Sequence, residues 1–180
     1  MAEQGPKRPH DELLDAALRL LSARRRSVRE LRERLSEKGF SAGDVARCLD
    51  WLLDREYLND KAFAQAFVRD RIRFSPRSSF LLQSELHRKG VEAKTTLEAV
   101  QGVFKEEGVS DPELCRALAR SWVRKRGLEV RKALTAERFS PLRERARRRL
   151  QGFLARRGFR GEALTAGLDA GFEEAGGWGI

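Results

Sequence analysis

One short pattern occurs three times in this chain and limits what it can become. It is a leucine, a basic residue three positions on, then glycine and a large apolar residue. The copies are ELRERLSEKGF (30–40), LLQSELHRKGV (81–91) and LQGFLARRGF (150–159). With Gly39, Gly90 and Gly158 aligned, Leu35, Leu86 and Leu154 stand four residues before, and Leu31, Leu82 and Leu150 eight before. Phe40, Val91 and Phe159 follow directly; Leu49, Val100 and Leu168 lie ten after, and Leu53, Phe104 and Phe172 fourteen after. Each set is apolar in every copy. Such spacing describes a helix C-terminus. Glycine just past the end takes the left-handed conformation without a Cβ penalty, and the apolar residue after it folds back on the leucine. Lys38, Lys89 and Arg157 sit at the negative end of the helix dipole, worth ~0.3–1 kcal/mol each. Each copy therefore reads as a helix, a sharp turn and a second helix, resembling a helix-turn-helix.

The rest of the chain keeps the helical period. Leu13, Leu14, Ala17, Leu18 and Leu21, then Val28, Leu31 and Leu35, then Val45, Leu49 and Leu52 recur at three- and four-residue steps. No alternation of period two is sustained, so no sheet is expected. Ser27-Val-Arg-Glu30 is a capping box. Ser75-Pro76, Asp111-Pro112 and Ser140-Pro141 each offer a cap before a proline at the first helical position. Asn59 or Asp60 can cap the helix that follows. These signals predict three triplets of helices: 11–22, 27–38 and 42–55; 60–73, 76–89 and 93–106; 112–133, 141–157 and 161–174. The glycines are 51 and then 68 residues apart. The third unit thus holds about 17 extra residues, assigned to Gly127–Phe139. Units unable to bury an apolar face alone must stack. The expected fold is all-α: tandem three-helix, helix-turn-helix-like repeats forming an elongated curved solenoid. The expected segments are a flexible leader over 1–10, repeats over 11–57, 58–109 and 110–174, and a tail over 175–180 that includes Trp178.

Charged residues make up 36% of the chain against 41% apolar, which suits a large surface around a modest core. The net charge of +10 is uneven. Residues 1–60 balance 12 basic against 12 acidic, whereas 116–160 hold 16 basic and three acidic residues, Glu129, Glu137 and Glu144. Such an excess attracts phosphates or an acidic protein face. Cys48 and Cys115 lie far apart without a CxxC partner, which indicates neither a disulfide framework nor a zinc site. There is no signal-peptide core and no apolar run long enough for a bilayer, so a cytoplasmic protein is expected. The lack of a heptad run points to a monomer.

Catalytic motifs are missing: no Walker A, GxGxxG, HExxH or GxSxG sequence occurs. His10 lies in a polar leader and His87 on a helix surface. Most carboxylates have a basic residue three or four positions away, such as Glu30 with Arg34, or Glu33 and Glu37 near Lys38; these are helix-surface pairs. The reading is a non-enzyme without cofactor or metal. Binding candidates are three arginine groups: Arg24, Arg25 and Arg26; Arg143, Arg145, Arg147, Arg148 and Arg149; and Arg156, Arg157 and Arg160. Arg145, Arg148 and Arg149 share one helical face, and Leu142, Leu150, Phe153 and Leu154 another. Guanidinium groups suit phosphates and carboxylates by their paired donors. No aromatic residues interleave with these arginines, so stacking on single-stranded bases is not signalled. The last helix carries acids and no base-reading side chain, so any DNA contact is expected to be sequence-independent.

EYLNDKAFAQAFV (56–68), SELHRKGV (84–91) and FLARRGF (153–159), in that order and after SVRELRERLSEKGF, resemble the RecX family of regulatory proteins. The resemblance covers most of residues 11–172. It implies tandem three-helix repeats. It also implies binding to the RecA recombinase filament, as a wedge or clamp in its groove, with inhibition of strand exchange and ATP hydrolysis; some members also bind DNA. This chain departs from the family in having Ser75-Pro76 where Gly-Pro is common, and in the longer arginine-rich segment after Gly127. Two other readings stand beside this one: a sequence-independent DNA-binding protein, and a helical scaffold for another protein.

Overall fold

The computed structural model describes residues 10–176; the expected leader up to residue 9 and Trp178 lie outside the described residues. Those residues form nine helices and no strand: α1 (Asp11–Ala23), α2 (Val28–Glu37), α3 (Ala42–Asp54), α4 (Asp60–Phe74), α5 (Ser79–Arg88), α6 (Ala93–Glu106), α7 (Asp111–Thr135), α8 (Pro141–Ala155) and α9 (Gly161–Gly176). They follow the predicted triplets to within a few residues. Two compact units result. One takes the described residues up to Val68 with Gln83–Gly102; the other takes Arg69–Leu82 and the described residues from Val103.

The repeated pattern does what its chemistry demands. Gly39, Gly90 and Gly158 have φ of 89°, 83° and 86°. The N–H groups of Val91 and Phe159 donate back to the carbonyls of Leu86 (3.1 Å) and Leu154 (3.4 Å), closing the expected helix-ending turn. The leucines four and eight residues before each glycine are all fully buried. Two residues expected on apolar faces, one in the alignment and one on α8, behave differently. Leu53 is 41% exposed, and Leu142 is 55% exposed rather than joining Leu150 and Leu154 in the core. Each lies near its helix end, at the margin of the apolar stripe.

The caps also need correction. Ser27 forms the capping box with Glu30, and Ser140 accepts from the Arg143 amide. Ser75, however, ends α4 by donating its N–H to the Arg71 carbonyl. Helix α5 begins three residues later, where buried Ser78 accepts from the Leu81 amide. Ser110, not Asp111, caps α7, and Asn59 caps α4 by accepting from Ala62.

Asp60 and Asp111 bind elsewhere, at two equivalent seams. In the first unit Asp60 accepts from the Val28 amide at 2.9 Å, and Ser27 Oγ donates to the Lys89 carbonyl at 2.5 Å. In the second, Asp111 accepts from the Ser79 amide (2.8 Å) and hydroxyl (2.7 Å), and the Ser78 amide donates to the Arg157 carbonyl at 2.9 Å. At each seam one helix's free N-terminal amides are satisfied by the next triplet. The approach is close. A Cβ on Gly90 would stand 2.5 Å from that of Arg29, and one on Gly158 would stand 2.7 Å from that of Leu81. These two glycines are thus required twice, by backbone conformation and by lack of space.

Glu30 completes the first seam. It pairs with Arg24 (3.0 Å) and Lys89 (2.7 Å), not with Arg34 as helix spacing suggested; Arg34 pairs with Glu37, and Glu33 with Arg29. Burial pushes Glu30 upward, but hydrogen bonds from Arg24 and Lys89, with their charges, outweigh it and hold the carboxyl down to about 2.

The second unit packs α7 against α9 and α8 over Leu114, Cys115, Ala119, Trp122, Leu150 and Leu154. The extra residues of the third triplet lengthen its first helix: α7 bends at Gly127 (φ 71°) and continues to Thr135, burying Ala133 and Leu134. Cys48 and Cys115 are free buried thiols, and burial pushes Cys115 up to about 12.

Candidate functional site

The basic stretch 116–160 falls wholly within the second unit, and the structure divides it into parts that differ in availability. The outer face of α7 is partly neutralised. Glu173 pairs with Arg120 at 3.3 Å and Glu174 with Arg124 at 3.0 Å, so these two acids of α9 tie it to α7. Helix α8 is different. It buries Ala146, Leu150 and Leu154, and by the helical period Arg145, Arg147, Arg148 and Arg149 are left outward. All four are exposed and make no ion pair among the described residues. Arg143 instead donates to the Ala136 carbonyl and covers the Phe172 ring.

The other predicted arginines separate in the same way. Arg24 is held by Glu30, and Arg26 donates to the Leu20 carbonyl, with burial and the neighbouring Arg24 charge lowering its pKa. Arg25 alone of the three is exposed without such a bond, beside Tyr57. Arg156, the C-cap residue of α8, is exposed, and Arg160 covers exposed Phe80 at 5.2 Å. Arg157 is half-buried: its guanidinium lies 4.0 Å from the Phe153 ring centre and donates to the Phe153 carbonyl. Burial, then the charges of Arg77 and Arg156, lower its pKa.

Arg157 opens onto a cleft of ≈ 560 Å³ in the second unit, walled by the end of α4, one face of α7 and the end of α8. Sequence reasoning missed it. Its cations are Arg73, Lys125, Arg126 and Arg157, and no carboxylate among the described residues lines it. Three guanidinium groups there cover aromatic rings: Arg73 on Phe74 (5.2 Å), Arg126 on Trp122 (4.5 Å) and Arg157 on Phe153 (4.0 Å). The Trp122 and Phe153 rings are themselves 6.0 Å apart. Phe74 stands 74% exposed, while the buried Trp122 Nε1 finds no acceptor among the described residues. The expectation that aromatics do not interleave with the arginines is thus overturned. Chain order hides the pairing, yet a signal existed: Trp122 and Arg126, like Phe153 and Arg157, are four residues apart on one helix face.

Comparison with known proteins supplies the lineage. Residues 14–52 match the family model for the first three-helix domain of RecX, and residues 59–100 that for the second. A Regulatory protein RecX of Mycobacterium sp. (strain KMS) is 34% identical over 142 residues, 79% of this chain and 72% of its own length. The chain belongs to the RecX family. A RecX of Trichlorobacter lovleyi is 32% identical over 89% of this chain and 95% of that protein, and one of Corynebacterium efficiens is 36% identical over 82% of this chain and 66% of that protein. The fold agrees with the crystal structure of RecX from Lactobacillus salivarius: TM-score 0.66 at 16% identity, over 89% of this chain and 94% of that one. RecX is a family of regulatory proteins, and its first and second three-helix domains correspond to the first two triplets described above. The α8 arginine stripe lies beyond the residues that the two domain models match. Among the described residues no three metal-binding side chains cluster, and no helix is long and apolar enough to cross a membrane.

Proposed function

We propose that this protein binds the RecA recombinase filament and inhibits its strand exchange and ATP hydrolysis, acting in the cytoplasm to modulate recombinational DNA repair and the SOS response. The observation that carries this reading is the 34% identity, over most of the chain, to a protein named Regulatory protein RecX. The exposed arginines of α8 supply a fitting chemistry. Arg145, Arg147, Arg148 and Arg149 offer forked donors to carboxylates or phosphates, with no acid among the described residues paired to them. Arg25, Arg156 and Arg160 extend the same set. Binding that favours one filament state shifts its population and slows turnover, with no catalytic group needed.

The test is ATP hydrolysis by RecA on single-stranded DNA, titrated with sub-stoichiometric protein at two salt concentrations. The rate falls, and falls less at high salt, where exposed charges are screened. An unchanged rate would sink the proposal. Replacing Arg147, Arg148 and Arg149 with glutamate is expected to abolish inhibition at unaltered helix content. Inhibition that survives this change would put the contact surface elsewhere.

A further inference from the structure

We infer that the cleft between the end of α4, α7 and the end of α8 holds one free nucleoside polyphosphate, with its phosphates on the cations and its base against the ring-lined wall. The cavity measures ≈ 560 Å³. That lies within the roughly 300–1,000 Å³ of small-molecule sites and falls short of a protein docking face. Arg73, Lys125, Arg126 and Arg157 converge on this volume, and no carboxylate among the described residues lines it. The occupant is therefore a small anion.

Charge density decides which small anion fits. A phosphodiester carries one negative charge, so a piece of strand short enough for this cavity brings about one or two. A phosphate monoester brings about two, and a triphosphate brings about four within one ligand. Only the last matches the four cations. Three of these are arginines lying over rings, Arg73 on Phe74, Arg126 on Trp122 and Arg157 on Phe153. A guanidinium already held against a ring gives up little entropy when its fork meets phosphate oxygens. Trp122 Nε1 and Arg157 Nε, on residues of the same wall, are buried and find no acceptor among the described residues. Two unpaired donors add to the positive field of the cleft. The remaining wall is apolar: Phe74, Leu118, Trp122 and Phe153. Inorganic polyphosphate has no use for such a surface, whereas a base stacks on it. With no carboxylate or histidine among the described residues in the wall, nothing there holds a divalent cation on the phosphates or activates water. The nucleotide is thus bound metal-free and not hydrolysed.

The test is isothermal titration calorimetry of the full-length protein with ATP, at low salt in EDTA and without recombinase. Saturable one-to-one binding is expected, weakening about tenfold with each phosphate lost through ADP to AMP. Tripolyphosphate, which lacks a base to stack, binds about tenfold more weakly than ATP. Excess magnesium, which neutralises the phosphates, weakens ATP binding by a similar factor. Arg73→Ala, Lys125→Ala and Arg126→Ala each weaken it about tenfold, and Arg145→Ala on the α8 stripe leaves it unchanged. All four side chains are exposed, so thermal melts are expected to match the parent. Lys125 covers no ring in the cleft and gives the deciding reading if an arginine variant melts early. Failure of ATP to bind, or binding only with magnesium, overturns the site. So does tripolyphosphate binding as tightly as ATP, which marks a bare anion site. Cleft variants that bind like the parent overturn it, as does oligothymidylate displacing ATP at lower concentration than ATP itself needs. Each of these failures leaves the RecA proposal standing, because the ATP hydrolysis titration with the α8 variant does not depend on this cleft.

Discussion

Two basic side chains of the first unit converge on the Glu30 carboxylate, and replacing it with glutamine removes that charge at nearly constant shape. The fall of its pKa from 4.5 to about 2 would correspond to about 3.4 kcal/mol if fully expressed. It is not. Arg24 is half exposed and Lys89 keeps 29% of its side chain in solvent, while Glu30 keeps 16%. Solvent screening reduces the contribution to ~1–2 kcal/mol. The sign follows from the direction. A carboxyl whose folded pKa is depressed adds stability above its unfolded pKa and loses it as pH falls through the folded value. Here the gain is complete above about 5.5 and drains away between 4.5 and about 2, with about four-tenths gone by pH 3.5. Urea unfolding followed by circular dichroism, with amide exchange in α2 to report the first unit, measures it at pH 7 and pH 3.5. Glu30→Gln is expected to be the less stable protein at pH 7, with a gap that narrows at pH 3.5. A gap below about 0.3 kcal/mol at pH 7, or one that does not change with pH, refutes the seam's electrostatic account.

Gly39 and Gly158 share a left-handed backbone, but only Gly158 is crowded, so thermal melts separate the two demands. Gly39→Ala is expected to cost about 1 kcal/mol, and Gly158→Ala at least about twice that, because its Cβ meets Leu81 at the seam; equal losses would refute the packing argument. Cys115, fully buried with its thiol pushed up to about 12, is expected to resist iodoacetamide at pH 8 in the native protein and to react in urea, as read by intact mass.

What could be read from the order of residues was local. The C′ glycine, the leucines four and eight before it, the capping box at Ser27 and the Ser140-Pro141 start act within a few residues. Helix geometry brings such groups together whatever else surrounds them. For the same reason the outward arginines of α8 were visible beforehand: once Leu150 and Leu154 define the buried side, the opposite side follows. The choice of caps was not visible. Ser75, Ser78, Ser110 and Asp111 were all chemically able, and the decision rested on partners 32 residues away, as in Ser79 with Asp111 and Val28 with Asp60. Glu30 had Arg34 within reach on its own helix, yet Lys89, 59 residues on, won because the seam buries the pair. The cleft shows the same division. Arg126 on Trp122 and Arg157 on Phe153 are set by helix spacing. Only the packing of α4, α7 and α8 turns those pairs, with Arg73 and Phe74, toward one cavity that no carboxylate among the described residues lines, because no rule of spacing specifies which helix lies alongside which.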